Sequence, residues 1–268
     1  MIVIGPAAEL WAEQLAGWGL PQEIVDQAPE SPWFHDVARF SVDDTLDRDG
    51  TSARWAREVL PPAGGTVLDV GCGGGRSSLP LVPPATELIG VDTHQEMLDR
   101  FVAAAASAGV ARRTVLGAWP DVAPQTPFAD VVVCHHVLFN VVDVVPFVAA
   151  LTDHARLAVV VEVPVAHPMS AWSPAWKHFW DLDRPNGPTS HGLLDVLREL
   201  GLDPEHATGP RRPLSRAAAD PTTFVPIARR RLCLTADRDE ELAAWLAEHP
   251  IGWVDEVTTI RWPGTAEP

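Results

Sequence analysis

A short apolar run followed by a turn with almost no side chains constrains this chain more than any other feature. Residues 66–70, Thr-Val-Leu-Asp-Val, have the composition of a buried parallel strand. The next five residues, Gly-Cys-Gly-Gly-Gly, predict a turn whose backbone a ligand can approach closely. Arg76 and the two serines after it predict the start of a helix, whose free N–H groups would face the same point. This order predicts an α/β domain that binds a ligand at the turn.

The glycine spacing separates several kinds of nucleotide site. A dinucleotide fingerprint fails in both registers, because its third glycine would fall on Arg76 or on Ser78. No Gly-Lys-Ser/Thr follows, which excludes a P-loop. The spacing instead resembles motif I of the class I S-adenosylmethionine (SAM)-dependent methyltransferases, here Asp69-x-Gly71-x-Gly73-x-Gly75. On the motif alone, a glycine-rich turn of some other α/β protein stays open as an alternative.

Composition excludes several other classes of protein. With 268 residues and 46% apolar content, the chain predicts one large domain or a domain with a lid. A formal net charge of −16 argues against nucleic-acid and anionic-membrane binding. Three widely spaced cysteines in apolar segments predict buried reduced thiols, and no Cys/His spacing indicates a metal. The sequence has no membrane-spanning run and no signal peptide, so we expect a cytoplasmic protein.

Apolar runs alternate with helical patterns through the middle of the chain. After the first strand, such runs predict four more strands, at 86–91, 113–116, 129–134 and 156–163. Two later runs, 205–212 and 230–235, predict a closing hairpin, and residues 257–262 are a candidate for a last strand. The alternation indicates a mostly parallel sheet covered by helices.

An acidic residue ends the second predicted strand. Asp92 can accept hydrogen bonds from both hydroxyls of a ribose, as the acid of a Rossmann fold does. The alternative is that Asp92 only caps the next helix. Because Thr93-x-x-Glu96 predicts a capping box that supplies its own cap, we favour ribose binding.

From Thr66 to roughly Leu234 the chain is similar to the class I methyltransferases. The resemblance implies a Rossmann-like α/β fold with a seven-stranded, mostly parallel sheet and a reversed C-terminal hairpin. It implies SAM as cofactor and S-adenosylhomocysteine (SAH) as product. It assigns the methionine and ribose ends of SAM to Asp69, Gly71, Gly73, Gly75 and Asp92, with Cys72, Thr93, Ala118, Trp119 and His135 as neighbouring candidates.

The adenine side departs from the family pattern. Relatives usually carry an acid or amide where this chain has Ala118, so that contact is lost or moved, and Asp121 is a substitute. Trp119 either offers its ring to the adenine or packs under the sheet. Both interpretations stay open.

Two histidines and a glutamate follow neighbouring predicted strands. His135 and His136 end the fourth strand, and the fifth presents Glu162. In open α/β sheets ligands lie beyond the carboxyl ends of the strands, so these residues would border the reactive methyl group. We expect His136 or His135 to act as base, with Glu162 behind it, if the acceptor is a hydroxyl or an amine. The alternative is that the histidines only shape the cofactor pocket.

The flanks predict a cover over the substrate. We expect residues 1–60 to form an N-terminal helical lid on a SAM-binding domain of residues 61–268, with a substrate-covering insertion around 164–188. The alternative is that residues 1–60 only cover an edge of the sheet. The candidate substrate contacts are aromatic: Trp33, Phe34, Trp172 and Trp176. The two later tryptophans recur with Trp180 at helical spacing, which more often indicates core packing.

These features predict methyl transfer to a small, partly apolar metabolite, with no metal, nucleic acid or membrane, by a monomer or homodimer. Two other classes of protein stay open. One is a SAM-binding regulatory or scaffold protein without activity, which Ala118 favours. The other is a nicotinamide-dependent oxidoreductase, which the missing third glycine disfavours.

Overall fold

A seven-stranded sheet, in the order β3-β2-β1-β4-β5-β7-β6, organises the protein. The computed structural model describes residues 5–32, 46–210, 221–252 and 254–267. The strands are β1 Gly65–Val70, β2 Ala85–Asp92, β3 Ala111–Leu116, β4 Ala129–His135, β5 Ala155–Pro164, β6 Glu205–Pro210 and β7 Glu256–Pro263. Strands β1 to β5 pair in parallel, whereas β7 is antiparallel to both β5 and β6. The prediction of a mostly parallel sheet with a reversed C-terminal hairpin is confirmed.

Helices cover both faces of this sheet. They are α1 Pro6–Ala16, α2 Gln22–Val25, α3 Thr51–Val59, α4 Gln95–Ser107, α5 Val144–His154, α6 Ser173–Trp180, α7 Ser190–Glu199, α8 Pro221–Arg231 and α9 Asp239–Glu248. Helices α3 and α4 pack on one face, and α1, α5 and α7 contribute to the core on the other. Because β1, β4 and β5 are buried on both faces, most of their central residues are apolar. None of the described helices is long and apolar enough to cross a bilayer.

Two of the predicted elements are wrong. No α-helix follows the glycine turn: residues 71–78 form turns, and only a 3-10 turn, Leu79–Leu81, precedes β2. Pro80 lies within the 3-10 turn. Strand β2 begins four residues after Leu81, so the segment is too short for an α-helix. The strand predicted at 230–235 is instead the end of α8 and the turn after it, and the hairpin partner of β6 is β7. Ala228 and Leu232 are buried four residues apart, which is a helical period.

A third hydrophobic cluster forms a separate layer, here called the helical cap. It consists of α2, α6, α8 and α9 around buried residues that include Trp172, Trp176, Phe179, Leu232 and Leu242. The chain leaves the sheet for this cap after β5 and after β6, and it returns at the start of β7. Pro164, Pro210 and Glu256 lie together in the sheet register, at the edge where β1 and β4 also end. The cap is therefore attached at the carboxyl-end edge of the parallel strands.

Part of residues 1–60 belongs to the layers that cover the sheet. Trp11 of α1 is buried, stacks on Phe139 and donates its indole N–H to the carbonyl oxygen of Val141 (2.9 Å). Ala53 and Ala56 of α3 are buried against the other face. A lid role for this segment stays a prediction.

All three cysteines are unpaired and buried, as the sequence predicted.

Candidate active site

The glycine turn is held against the ends of two neighbouring strands. The N–H groups of Gly71 and Cys72 both donate to the carbonyl oxygen of Val91, at 2.8 and 3.0 Å. Gly71 has φ of 71°, and a Cβ there would lie 2.3 Å from Cγ2 of Val137, which follows β4. Only glycine allows this close approach between the turn after β1 and the loop after β4.

Gly73 borders open space. Its φ is 49°, and a Cβ built there would have no heavy atom within 4 Å. Its N–H donates to Oδ2 of Asp92 at 2.9 Å. The turn therefore presents bare backbone to a space that a ligand can fill, between the ends of β1 and β2.

Asp92 joins the glycine turn to the start of α4. Its Oδ2 accepts from Gly73, and its Oδ1 accepts from the N–H of His94 at 3.0 Å. The predicted capping box is wrong, because α4 begins only at Gln95 and the Thr93 hydroxyl instead lies 2.9 Å from Nδ1 of His94. Asp92 therefore fixes the backbone just before α4, whose first turn has no side-chain cap. Each carboxylate oxygen of Asp92 keeps a second lone pair that can accept from a ribose hydroxyl. Ribose binding by Asp92 therefore stays a prediction.

Asp69 is buried with one oxygen occupied and the other open. Ser78 donates its hydroxyl to Oδ2 at 2.6 Å, whereas Oδ1 has no hydrogen-bond partner among the described residues. Burial is the main cause that raises the pKa of Asp69 to about 7; the charge of Asp92 adds to the rise, and the Ser78 hydrogen bond opposes it. A buried acceptor without a donor is costly unless a ligand supplies one.

Asp69→Asn is expected to stabilise the protein when no ligand is bound. Because the native pKa of Asp69 is raised, the native state holds a proton that the unfolded state releases, and stability falls as pH rises from about 4 to about 7. The neutral amide should raise the free energy of unfolding at pH 8 by up to about 4 kcal/mol. Urea unfolding of both proteins measures this difference, which should shrink at pH 5; an equal difference at both pH values would contradict it.

The histidines and the glutamate predicted from the sequence lie together. His135 pairs with Glu162 in the register of β4 and β5, and Nε2 of His136 lies 3.2 Å from Oε1 of Glu162. The other carboxylate oxygen of Glu162 accepts from the hydroxyl of Ser52, at 3.2 Å. Burial opposes ionisation of Glu162, but the hydrogen bond from His136 and the nearby histidine charges, together with the Ser52 hydroxyl, lower its pKa to about 2. Glu162 is therefore an anion that orients His136.

Each histidine has one unsatisfied ring nitrogen. Nε2 of His135 and Nδ1 of His136 are buried without a hydrogen-bond partner among the described residues. Burial is the main cause that lowers the pKa of His135 to about 4; His136 adds to the fall and Glu162 opposes it. His135 is therefore neutral at pH 7. His136 has φ of 60°, a left-handed conformation that is uncommon outside glycine and that is found at functional sites.

The adenine-side candidates lie apart from this cluster. Ala118 is exposed, as is Asp121. Trp119 is buried in the core, where its indole N–H donates to the carbonyl oxygen of Phe147 (3.3 Å) and its ring packs edge-on against His154. These contacts favour the interpretation in which Trp119 packs under the sheet.

Two of the four predicted substrate contacts lie in the core of the helical cap. Trp172 and Trp176 are each 1% exposed within the helical cap, so the prediction that they line a substrate pocket is wrong. Helices α8 and α9, which the sequence did not place there, cover this stripe. Trp33 and Phe34 lie outside the described residues.

Trp176→Ala is expected to lower the free energy of unfolding by about 3–5 kcal/mol, because it empties a buried indole site. Urea unfolding followed by circular dichroism measures the change. Trp245→Ala, at a half-buried site on α9, is the matched control and should cost less. A variant as stable as the wild type would contradict the core role of Trp176.

Two serines of the site were missed from the sequence. Ser52 is far from Glu162 along the chain and meets it only because α3 packs on β5. Ser78 is nine positions beyond Asp69, in a segment where a helix was expected. The one signal for Ser78 in the sequence was that a small polar residue follows a buried acid closely along the chain.

The arrangement suits a ligand with an ammonium group. The open Oδ1 of Asp69 can accept from such a group, and Gly73 of the turn that follows β1 borders open space. Within the described ranges, no group of three or more His, Cys, Asp or Glu side chains is arranged to hold a metal ion.

Known proteins share this fold. A methyltransferase-domain family model matches residues 67–159. The YcgJ protein of Bacillus subtilis is 17% identical with a TM-score of 0.53, and the match covers 81% of this chain and 98% of that one. A cyclopropane-fatty-acyl-phospholipid synthase-like protein from Lactobacillus casei is 15% identical with a TM-score of 0.53, over 90% and 98% of the two chains.

Magnesium protoporphyrin IX methyltransferase from Synechocystis, solved with bound SAH, is 16% identical with a TM-score of 0.51, over 81% of each chain. No curated protein sequence matches this chain. At such identities the structural matches show the fold alone. The glycine turn and the strand order agree with the match over residues 67–159, so this part of the chain is a methyltransferase domain, with SAM as methyl donor and SAH as product.

Proposed function

We propose that the protein methylates a hydroxyl or amino group of a small, partly apolar metabolite, and that His136 removes the proton of the acceptor. The observation that carries this proposal is the pair formed by His136 and Glu162 at the ends of β4 and β5. Its open atom, Nδ1 of His136, needs a partner that the described residues do not supply.

The charge of Glu162 decides which nitrogen of His136 can act as base. Because the lowered pKa of Glu162 keeps it ionised, its carboxylate accepts a hydrogen bond from the Nε2–H of His136. In the neutral imidazole this leaves the lone pair on Nδ1. An acceptor hydroxyl or amine that donates to Nδ1 can transfer its proton there, and Glu162 stabilises the resulting imidazolium.

The backbone holds His136 in this orientation. Its N–H donates to the carbonyl oxygen of Glu162 at 2.8 Å, in addition to the contact between the side chains. The two residues are therefore joined twice, and Ser52 holds the far oxygen of the carboxylate. Fixed geometry of this kind is what makes a general base effective.

The bound cofactor supplies a methyl group that is already activated by a positively charged sulfur. The tasks left for the chain are to align the acceptor, to exclude water and to accept a proton. Asp69, Gly73 and Asp92 are proposed to hold the amino-acid and ribose ends of the cofactor, with Gly71 and Gly75 shaping the turn. His135, neutral beside His136, is proposed to contact the cofactor or the acceptor through its open Nε2.

Three segments meet near the strand ends and support a partly apolar acceptor. His167, from the segment after β5, stacks on Trp18 at a centroid distance of 4.1 Å and contacts the ring of Phe139 at 5.6 Å. These rings join the end of α1, the loop after β4 and the insertion that leads into the cap. Residues 1–60 and 164–188 are proposed to cover the acceptor from this side.

The charge of the surface supports a small acceptor rather than a nucleic acid. The formal net charge is −16. The arginine run at the end of α8 is paired: Arg229 contacts Asp239 at 2.7 Å and Arg230 contacts Glu30 at 3.1 Å. A surface of this kind repels a phosphate backbone.

The test measures binding and transfer separately. Calorimetry with SAH should detect binding to the wild type, and SAH release from SAM should be followed over a panel of phenols, aliphatic alcohols and amines. Transfer to at least one hydroxyl or amine is expected. Binding of SAH without transfer to any member would favour an inactive SAM-binding protein, and stabilisation by NADH but not by SAH would favour an oxidoreductase.

A further inference from the structure

The two carboxylate oxygens of buried Asp69 differ in their hydrogen bonding. The proposed proton transfer to His136 uses neither of them. Both residues have no exposed surface. The hydroxyl of Ser78 donates to Oδ2 of Asp69 at 2.6 Å, while Oδ1 has no partner in the described part of the chain. One oxygen of this carboxylate is therefore fixed by the protein, and the other is left for a ligand.

The turn that carries Ser78 is the one that forms the space beside Gly73. Gly75, with φ of 91°, closes this turn, and its N–H donates to the carbonyl oxygen of Cys72 at 2.8 Å. Leu79 then donates to the carbonyl oxygen of Gly75 at 2.9 Å. Ser78 therefore belongs to the same backbone segment as the glycine turn, and its hydroxyl is bound to Asp69 of β1.

We propose that Ser78 is a positioning residue that, by holding Oδ2 of Asp69, presents Oδ1 to the α-ammonium group of the cofactor. The inference rests on the cofactor of the methyltransferase family and does not depend on which residue acts as base. An ammonium group carries three donors, so it can satisfy Oδ1 of Asp69, a buried acceptor that the described residues leave open.

Charge gives this arrangement a pH dependence. The titratable groups that face Asp69 are Asp92, across the glycine turn, and the thiols of Cys72 and Cys134. Burial raises the pKa of both thiols, so they are uncharged at neutral pH and do not compete with Asp69 for an ammonium group. Because the pKa of Asp69 is about 7, the carboxylate that an ammonium needs forms as pH rises through neutrality. Loss of the Ser78 hydrogen bond, which favours the ionised form, would move that titration to higher pH.

The experiment compares two ligands that differ only in the amino-acid end. SAH carries the α-ammonium group, whereas 5′-methylthioadenosine lacks the whole amino-acid chain. Calorimetry at pH 6, 7 and 8 is run on the wild type and on Ser78→Ala, with Ser77→Ala as a matched control on the same turn and Ser78→Thr to restore a hydroxyl.

For the wild type, SAH affinity should rise severalfold from pH 6 to pH 8 while methylthioadenosine affinity stays flat. At pH 7, Ser78→Ala should weaken SAH about tenfold and methylthioadenosine less than twofold. The SAH loss should shrink at pH 8 and be recovered in part by Ser78→Thr, and Ser77→Ala should bind both ligands as the wild type does.

Equal losses for both ligands, or no loss of SAH affinity, would overturn the role of Ser78. If Ser78→Ala does not fold, Ser78→Cys fills the same space with a weaker donor and the same comparison decides. Asp69→Asn is the second variant, and it should make SAH binding weak and independent of pH. Failure of the wild type to bind either ligand would overturn the cofactor assignment itself, which separates that failure from a failure of Ser78 alone.

Discussion

His136→Ala is expected to lower the rate of methyl transfer at least about tenfold, because it removes the proposed proton acceptor. SAH affinity should stay within about twofold, since the Asp69 and Gly73 end of the site is built by other strands. Turnover with the acceptor found in the panel, and calorimetry with SAH, measure the two quantities. The loss should be in kcat rather than in the binding of the cofactor.

The control is His191→Ala, the same substitution at an exposed position on α7. Unchanged turnover of His136→Ala with the true acceptor would remove His136 as base. A second variant tests whether the missing imidazole itself causes the loss of rate. His136→Gly suits the φ of 60° and leaves a space the size of the ring, so added imidazole should restore part of the rate. Absence of rescue together with loss of SAH binding would indicate a structural role instead.

Gly73→Leu is expected to abolish SAH binding while the protein stays folded. The new side chain would extend into the open space beside the turn, where no protein atom lies within 4 Å of its Cβ. The left-handed backbone should cost about 1–2 kcal/mol of stability, because φ at this position is 49°. Calorimetry with SAH and urea unfolding separate the two effects.

Gly109→Leu is the matched control for this substitution. Gly109 has φ of 68°, and a Cβ there would also meet nothing within 4 Å, but it lies just beyond α4 and outside the site. Both variants carry the same kind of backbone strain, so only a blocked ligand site distinguishes them. Equal SAH binding by both would show that the space beside Gly73 is not the cofactor site.

The buried strands were the most predictable part of the fold. The run predicted at 129–134 became β4, Ala129–His135, and the run at 156–163 became β5, Ala155–Pro164. Such strands are apolar on both faces, so their composition indicates burial without any knowledge of neighbours. The segment at 230–235 also looked apolar and extended, but Ala228 and Leu232 pack into the helical cap at helical spacing. Short apolar runs do not separate a strand from a helix until the partner surface is known.

The site was predictable only where it follows from strand order. His135 and Glu162 end neighbouring strands, so the sequence of an α/β fold already places them together. The role of Trp172, Trp176 and Trp180 was not predictable from the sequence, since their helical spacing fits a core and a pocket wall equally well. Only α8 and α9, which cover it, show that it is core.

The sequence alone determined the five parallel strands, the glycine turn and the sheet edge at which chemistry would occur, because these follow from local composition and the rules of parallel strand connection. The tertiary structure alone decided which polar atoms are paired and which are open. Ser52 and Ser78 occupy one oxygen each of Glu162 and Asp69, and Nδ1 of His136 and Oδ1 of Asp69 have no partner among the described residues. Hydrogen bonding of this kind depends on distances of a few ångströms between segments far apart along the chain, which no periodicity records.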